Sequence, residues 1–283
     1  MTLLIVGGES DPNTQRVVDQ AHLREIDYFF WDTDRPECCQ IAWDFESPEL
    51  DLGSHRLVPS AIFLRCNVFA GVQHRNHAAF EMIKSYAFAW PETRTLNRYS
   101  TDDLNNKSLN LRLARSLGFQ IPETLVMGSL SPLATIPDPD SKITKPLNGG
   151  AHTRSVSEVR DDKEALGSDL PMFVQEQLTG ENLRLFSVGG ELSCFHLLTS
   201  ALDYREDRST EIVQIETPPS LIEATHRLVD HKRFDYCAVD FRCRNGLDAP
   251  VFLEINSFPM FVRFDDAGEM CIVDAILDFL IDP

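Results

Sequence analysis

The segment Val251-Phe252-Leu253-Glu254-Ile255-Asn256-Ser257-Phe258-Pro259 decides the fold, together with Ala238-Val239-Asp240-Phe241 upstream of it. Both are apolar runs typical of buried strands, yet each carries acidic or amide side chains. The stretch Arg244-Asn245-Gly246-Leu247-Asp248-Ala249-Pro250 between them favours a turn, so the pair predicts an antiparallel hairpin. A register symmetric about Leu247 places Asp240 directly opposite Glu254.

Asn256 shares a face with Glu254, because alternate side chains of a strand point the same way. Like charges opposed across a ladder destabilise it, and unpaired buried carboxylates cost more still. A cation between the carboxylates would offset both costs. Two carboxylates and an amide oxygen suit a hard ion such as Mg²⁺. The sequence therefore predicts a metal site formed by Asp240, Glu254 and Asn256.

Composition narrows the class of protein. The 283 residues carry a formal net charge of −18, from 44 acidic and 26 basic side chains. This charge disfavours nucleic acid or an anionic membrane as the main partner, since both require a positive field. The seven cysteines show no C-x-x-C spacing, which favours reduced thiols in a cytoplasm. No signal region or membrane-spanning run is recognisable, so we expect a cytoplasmic protein.

Strands alternate with helices at the start of the chain, which predicts a small α/β unit with a partly parallel sheet. The predicted strands are 3–6, 27–31 and 60–65, and the predicted helices are 14–24 and 77–89. Gly7-Gly8 is not a G-x-G-x-x-G motif, and a tight strand-to-helix turn explains it better than a dinucleotide site. The segment 91–97 marks a boundary.

Beyond this boundary a helix capped at Ser100 or Thr101 is predicted to reach Gly118 as its C-cap. Its apolar stripe would be Leu109, Leu113 and Leu117, with Lys107 on the polar side. The remaining predicted elements are strands at 142–147 and 173–178, two strands within 184–198, and a helix at 271–280.

Lys145 ends an apolar strand and precedes Asn148-Gly149-Gly150-Ala151. A lysine in this place can set its ammonium against phosphates while backbone N–H groups cover them. Taken alone, a solvated lysine beside an ordinary turn explains these residues better. The same holds for Lys107, because a helical lysine usually only adds solubility.

Two further segments carry weaker signals. The strand ending at Glu176 and Gln177 could offer backbone groups to an adenine base, and an ordinary sheet strand explains it equally well. Arg184, Arg205 and Arg208 could recognise phosphate or carboxylate, since arginine suits bidentate contacts with both. A solvated charged loop is the simpler explanation for the last two.

The order of these parts resembles the ATP-grasp superfamily, specifically its RimK-like branch of carboxylate–amine ligases. The segment 106–124 is similar to that branch's N-K-x-x-x-L-x-x-A-x-x-x-G-x-x-x-P-x-T pattern, and Glu254-Ile255-Asn256-Ser257-Phe258-Pro259 to its E-x-N-x-x-P metal segment. The resemblance covers roughly residues 100–280. It implies an α/β (α+β) ATP-grasp fold with an N-terminal pre-ATP-grasp domain at 1–97. A central subdomain at 98–175 and a C-terminal subdomain at 176–283 with the metal site would follow.

The resemblance also implies roles for single residues. Lys107 and Lys145 would contact the phosphates of ATP, Glu176 and Gln177 would lie at the adenine hinge, and the metal site would hold Mg²⁺ or Mn²⁺. The remaining nucleotide contacts would come from Gly149, Gly150, Arg154, Asn182 and Arg184. The glycine loop is poorer than the family's, so phosphate closure leans on Arg154. Asn182 stands where the family often has an acidic residue in contact with the ribose.

Members of this family activate a carboxylate as an acyl phosphate, which an amine or rarely a hydroxyl then attacks. We therefore expect an ATP-dependent ligase acting on a peptide, an amino acid or another small molecule, with Arg205 or Arg208 holding the acyl phosphate or the substrate carboxylate. Three alternatives stay open: a peptide macrocyclase forming ester or amide side-chain links, a kinase-like phosphotransferase, and a non-catalytic nucleotide-binding protein. A homo-oligomer is also compatible with the sequence.

Overall fold

The computed structural model of the protein describes residues 2–35, 40–53, 55–69, 74–99, 106–128, 131–147, 153–162, 172–199, 201–204, 207 and 209–281. The strands are β1 Leu3–Gly7, β2 Tyr28–Asp32, β3 Ala42–Trp43, β4 Leu50–Asp51, β5 Arg56–Leu57, β6 Ala61–Leu64, β7 Arg94–Thr95, β8 Thr124–Met127, β9 Lys142–Pro146, β10 Arg154–Ser155, β11 Met172–Glu176, β12 Asn182–Val188, β13 Glu191–Leu198, β14 Glu211–Ile215, β15 Tyr236–Asn245 and β16 Asp248–Asn256. The helices are α1 Pro12–Leu23, α2 His74–Ala89, α3 Lys107–Ser116, α4 Val156–Asp161, α5 Pro219–Lys232, α6 Val262–Ala267 and α7 Cys271–Ile281, with 3₁₀ turns at Ser131–Thr135 and Pro139–Ser141.

The N-terminal sheet is parallel throughout, in the order β2-β1-β6-β7, and confirms the predicted α/β unit. Both faces of β1 are buried, since Leu3 and Ile5 join one core cluster while Leu4 and Val6 join another. Helix α1 covers the first face, and α2 covers the second beside the small antiparallel sheet β3-β4-β5. The helix α1 begins at an N-cap, Asp11.

Two antiparallel sheets make up the rest. The central sheet has the order β10-β9-β11-β8, and the C-terminal sheet has the order β14-β13-β12-β15-β16. The predicted strand pair at 184–198 is confirmed as β12 and β13. The central sheet falls almost entirely within the predicted subdomain 98–175, and the C-terminal sheet falls within 176–283. The boundaries at 97/98 and 175/176 stay a prediction. No helix within the described part of the chain is long and apolar enough to cross a membrane.

The predicted hairpin is formed by β15 and β16, and Asp240 pairs with Glu254 as expected. The symmetric register fails nearer the turn, where Phe241 pairs with Phe252 and Leu253 is the extra residue of a β-bulge. The bulge directs Phe252 into the core with Phe241, where both rings contact Phe119. Without it, Phe252 would point to the face that carries the carboxylates.

Helix α3 differs from its prediction. It begins at Lys107 with Asn106 as N-cap, while the expected caps Ser100 and Thr101 lie outside the described residues. Its buried face contains Leu111 and Ala114, whereas Leu109 of the predicted stripe is 50% exposed. Positions 107, 111 and 114 share one helical face, so Lys107 extends from the buried side rather than the polar side.

The helix α7, predicted at 271–280, packs against α1 and β6 of the N-terminal unit. Its buried side chains belong to the same core cluster as Leu3, Ile5 and Val17. Salt bridges reinforce this contact: Arg24 reaches Asp274 at 3.2 Å and Asp278 at 2.5 Å. The core on one face of the N-terminal sheet therefore includes side chains from the last helix of the chain, α7.

Candidate functional site

A cleft of about 980 Å³ runs between the three large sheets. Sequence reasoning named several of the side chains that line it, from positions spread between residues 107 and 256. They are Lys107, Lys145, Glu176, Asn182, Arg184, Asp240, Glu254 and Asn256. The structure therefore brings together most of the predicted site in one cavity.

The two acidic side chains of the hairpin lie on adjacent strands at paired positions, and Asn256 lies beside them. The Nδ2 of Asn256 donates to Asp240 Oδ2 at 3.3 Å and to Glu254 Oε1 at 3.4 Å. Such an amide bridge holds the carboxylates as a pair. It offsets part of the repulsion that the sequence alone predicts between them.

A cation from another element approaches each carboxylate. Lys107 Nζ lies 3.3 Å from Glu254 Oε2, because the buried face of α3 packs against β16. Arg184, on the strand next to β15, donates to Asp240 Oδ1 at 3.2 Å and to the Tyr204 hydroxyl at 2.8 Å. The site thus alternates positive and negative groups across four elements, α3, β16, β15 and β12.

These contacts set the ionisation of the site. Burial opposes the charge of Glu254, yet Lys107 and Lys145 together hold the pKa of its carboxyl below its usual range. Burial likewise opposes the charge of Arg184, but Asp240 together with Tyr204 and Glu254 outweighs it and raises the guanidinium pKa. Both groups are therefore charged at neutral pH.

Lys145 is placed by the central sheet. It pairs with Phe173 of β11, and its Nζ lies 5.8 Å from the centre of the Phe173 ring. Its charge acts on Glu254 together with that of Lys107. Two lysines that the sequence places 38 positions apart therefore converge on one carboxylate.

Of the two residues predicted at the adenine hinge, Glu176 lines the cleft. Glu176 forms a bidentate salt bridge with Arg244, with N–O distances of 2.7 and 2.8 Å, and these hydrogen bonds lower the pKa of Glu176. Gln177 follows it and donates its backbone N–H to the Ser141 carbonyl at 2.8 Å, but its side chain is not among those that line the cleft. Both residues were predicted at the hinge; the structure places Glu176 at the cavity and the side chain of Gln177 outside its lining.

Other predicted residues have different outcomes. Arg154 is exposed and pairs with Asp162 at 3.1 Å, away from the cleft walls, because β10 is the edge strand of its sheet. Gly149, Gly150, Arg205 and Arg208 lie outside the described residues.

Several cleft residues were missed by sequence reasoning. Ile143 and Leu178 provide apolar walls beside the hinge, and Leu253 reaches the cleft through the bulge. Tyr204 was missed although it follows Asp203 in a segment noted for its charges. A signal existed for Ile143 alone, since it lies two positions before Lys145 on the same strand and shares its face.

Comparison with known proteins rests on structure. No family model matches the chain, and no curated protein matches it. The macrocyclase MdnC from Microcystis aeruginosa MRC, bound with precursor peptide MdnA, is 23% identical over 100% of both chains, with a TM-score of 0.78. The ATP-grasp ligase PsnB, complexed with minimal precursor, Mg and ADP, is 20% identical over 98% of both chains, with a TM-score of 0.74.

A more distant likeness has the same fold. D-alanine–D-alanine ligase from Bacillus anthracis, complexed with ATP, is 14% identical over 100% of this chain and 96% of its own, with a TM-score of 0.63. These likenesses extend over whole chains rather than single motifs. The resemblance found in the sequence and the predicted fold class are therefore confirmed at the level of the fold: the protein has the fold of ATP-grasp ligases.

Proposed function

We propose that the protein is an ATP-dependent ligase that activates a carboxylate and joins it to an amine or a hydroxyl. The observation that carries the proposal is the convergence of Lys107 and Lys145 on Glu254, opposite Asp240 and within one cleft. A non-catalytic relative would have no need to bring two lysines and two carboxylates together at the same place. The fold agrees with this function, since the similar solved structures include ligases bound with nucleotide.

The donor set fits a divalent cation. Asp240 and Glu254 offer carboxylate oxygens from paired positions, and Asn256 offers an amide from the same face. Such oxygen ligands suit Mg²⁺, with Mn²⁺ as a close substitute. As a ligand Asn256 would present Oδ1, which requires its amide to rotate, since Nδ2 lies against both carboxylates. Among the described residues, no cluster of three or more His, Cys, Asp or Glu side chains offers another metal site.

In this proposal each residue has a defined task. Asp240, Glu254 and Asn256 would hold the metal, which when bound aligns the phosphates and offsets their charge. Lys107 and Lys145 would pair with phosphate oxygens. Arg205 or Arg208 would hold the acyl phosphate or the substrate carboxylate.

The remaining tasks concern the nucleotide. The apolar walls at Ile143 and Leu178 would hold the adenine, with the backbone at Glu176 and Gln177 reading its edge. Asn182 would contact the ribose, and Gly149 with Gly150 would cover the phosphates. The reaction would pass through an acyl phosphate, because only an activated carboxyl can be attacked by an amine at neutral pH.

A peptide is the substrate that the cleft supports best. The same cavity is also lined by Phe69 and Phe80 of the N-terminal unit and by Met260 from the C-terminal part of the chain. Val68 and Phe69 of this lining are 62% and 51% exposed, so the cavity presents apolar surface there. MdnC and PsnB are bound with precursor peptides. A macrocyclase that links side chains of one peptide is therefore the favoured form of the ligase, and a kinase-like activity is the alternative.

The test is turnover with defined partners. The protein is incubated with ATP, Mg²⁺ and peptides that offer carboxylates, amines and hydroxyls together or separately, and released ADP and peptide mass are measured. Ligation predicts ADP release and loss of one water per link only when both groups are present. A kinase needs one group and adds a phosphate, while a binding protein releases no ADP.

Glu254→Gln is the decisive variant. It keeps the shape of the side chain and removes the charge that pairs with Lys107, so we expect ATP turnover to fall at least 100-fold with the fold intact. Glu223→Gln, on the exposed surface of α5, is the matched control and should turn over normally. Normal ATP turnover by Glu254→Gln would contradict the proposed function.

We further propose that the protein acts in the cytoplasm, in agreement with the free thiols of Cys66, Cys194, Cys237, Cys243 and Cys271. The three proposed domains, at 1–97, 98–175 and 176–283, would contribute the peptide end, the phosphate lysine of β9 and the metal site respectively.

A further inference from the structure

The side chain of Asn97 lies where the hydrogen-bonded pairing of β15 with β16, the hairpin of the proposed metal site, ends. The pairing of β15 with β16 ends at Ala238 and Asn256. Beyond this pair the two strands diverge, and their buried backbone groups need other partners. Asn97, two residues after β7, supplies them from the N-terminal unit.

The amide of Asn97 pairs with Tyr236 as a neighbouring strand would. Its Oδ1 accepts from the Tyr236 N–H at 2.9 Å, and its Nδ2 donates to the Tyr236 carbonyl at 2.7 Å. The same Nδ2 donates to the Ser257 carbonyl at 2.6 Å. One side chain therefore joins the first residue of β15 to the residue that directly follows β16.

Asp235 contacts both the backbone and the side chain of Asn97. The Asn97 N–H donates to Asp235 Oδ2 at 2.7 Å, and the Asp235 N–H donates to Asn97 Oδ1 at 2.8 Å. Asn97 is 4% exposed and has a φ of 55°, a left-handed conformation that asparagine tolerates better than most residues. Such a conformation persists where the surroundings determine it fully, often near functional sites.

The segment after Ser257 is fixed by the same unit. Arg65 Nη1 lies 3.3 Å from the carbonyl oxygens of Phe258 and Pro259, and the Phe261 N–H donates to Asn13 Oδ1 at 2.8 Å. The chain that leaves the metal segment is thus held at successive residues, and Asn97 is the contact nearest to Asn256.

We propose that Asn97 is a positioning residue for the metal site, an inference that rests on the proposed function. By joining Tyr236 to Ser257 it fixes the spacing between the two strands that carry Asp240 and Asn256. Residues that orient metal ligands through hydrogen bonds typically contribute about 10–100-fold to metal affinity. The N-terminal unit would therefore tune the metal site without touching the metal.

Two variants test this role. Asn97→Asp keeps the acceptor for Tyr236 N–H but turns both donated contacts into oxygen–oxygen repulsion. Asn97→Gly removes the side chain and suits the left-handed backbone, so it guards against a failure of the first variant to fold. Asn67→Asp is the matched control, because Asn67 is 5% exposed, donates its Nδ2 to Asp34 and lies in the same unit.

The readout is Mn²⁺ binding in the presence of ADP, followed by electron paramagnetic resonance of the free ion, with ADP binding in EDTA measured in parallel. Both Asn97 variants should bind Mn²⁺ about tenfold more weakly or worse, with ADP affinity in EDTA unchanged. Asn67→Asp should lower the unfolding temperature and leave Mn²⁺ affinity unchanged.

Distinct results contradict distinct claims. Wild-type affinity for Mn²⁺ in a folded Asn97 variant would overturn the positioning role. Loss of the fold in both variants would assign Asn97 to folding alone and also overturn it. Failure of the wild-type protein itself to bind Mn²⁺ with ADP would instead contradict the proposed function.

Discussion

Removing the buried carboxylate of Asp11 should destabilise the protein by about 4 kcal/mol. Asp11 is 0% exposed and Arg65 is 5% exposed, and Arg65 Nε donates to Asp11 Oδ2 at 2.6 Å. Breaking a buried ion pair by deleting one partner costs about 3–5 kcal/mol. Arg65 keeps two carbonyl acceptors at 3.3 Å, which favours the lower value of about 3 kcal/mol for this term. Asp11 is also the N-cap of α1, and losing a cap adds about 1 kcal/mol.

Urea unfolding followed by tryptophan fluorescence measures this loss in Asp11→Ala. The three tryptophans, Trp31, Trp43 and Trp90, all lie within the first 97 residues, so the signal reports on the unit that contains the ion pair. The loss is a large share of the roughly 5–15 kcal/mol that stabilises an ordinary domain.

Two controls divide the effect into its parts. Asp11→Asn retains a good N-cap, so it should lose about 1 kcal/mol less than Asp11→Ala. Glu223→Ala breaks an exposed pair with Arg227 on α5 and should cost under about 0.5 kcal/mol. If Asp11→Ala costs no more than this exposed control, the reasoning from burial is refuted.

Two further predictions concern ionisation. Burial raises the pKa of Asp265 to about 6, although its Oδ1 accepts from the N–H groups of Ile272 and Val273. Because the folded state keeps this proton at pH values where the unfolded state has lost it, the contribution of Asp265 to the unfolding free energy should fall by roughly 2–3 kcal/mol between about pH 4 and pH 6, then level off. Asp265→Asn should remove this fall in urea titrations, and an unchanged profile would contradict the assignment. Burial also raises the pKa of Cys194 and of Cys237 to about 12, so both thiols should resist iodoacetamide at pH 8 until the protein is unfolded, whereas rapid labelling of the native protein would argue against their burial.

Local patterns were enough to predict the parts of the fold that depend on neighbours in sequence. The alternation of apolar runs and helical segments gave the parallel N-terminal sheet, and the Asn245-Gly246 turn gave the hairpin. The pairing of Asp240 with Glu254 followed from counting residues on both sides of that turn. This predicted pair is correct because the bulge at Leu253 lies between the pair and the turn. The extra residue of the bulge compensates for the error in the assumed centre of the turn, so the two positions still face each other.

What the sequence could not provide are contacts that depend on distant packing. The buried face of α3 is chosen by β16, so Lys107 reaches Glu254 while Leu109 faces solvent. Arg154 carries the same charge as Lys145, yet its edge strand directs it to Asp162. Asn97 has no sequence signature, since its partners follow it by more than a hundred residues. Only a tertiary fold reveals such a residue.

The shared core of α1, β1 and α7 has a consequence for synthesis of the protein. Leu3 and Ile5 pack in one core with Ile272 and Ile276, which leave the ribosome about 270 residues later. At a synthesis rate of about 5–20 residues per second, the face of β1 that α7 helps to cover stays without this helix for roughly 10–50 s. We expect the nascent N-terminal unit to remain a chaperone client during this interval, and the last helix to act as the step that releases it.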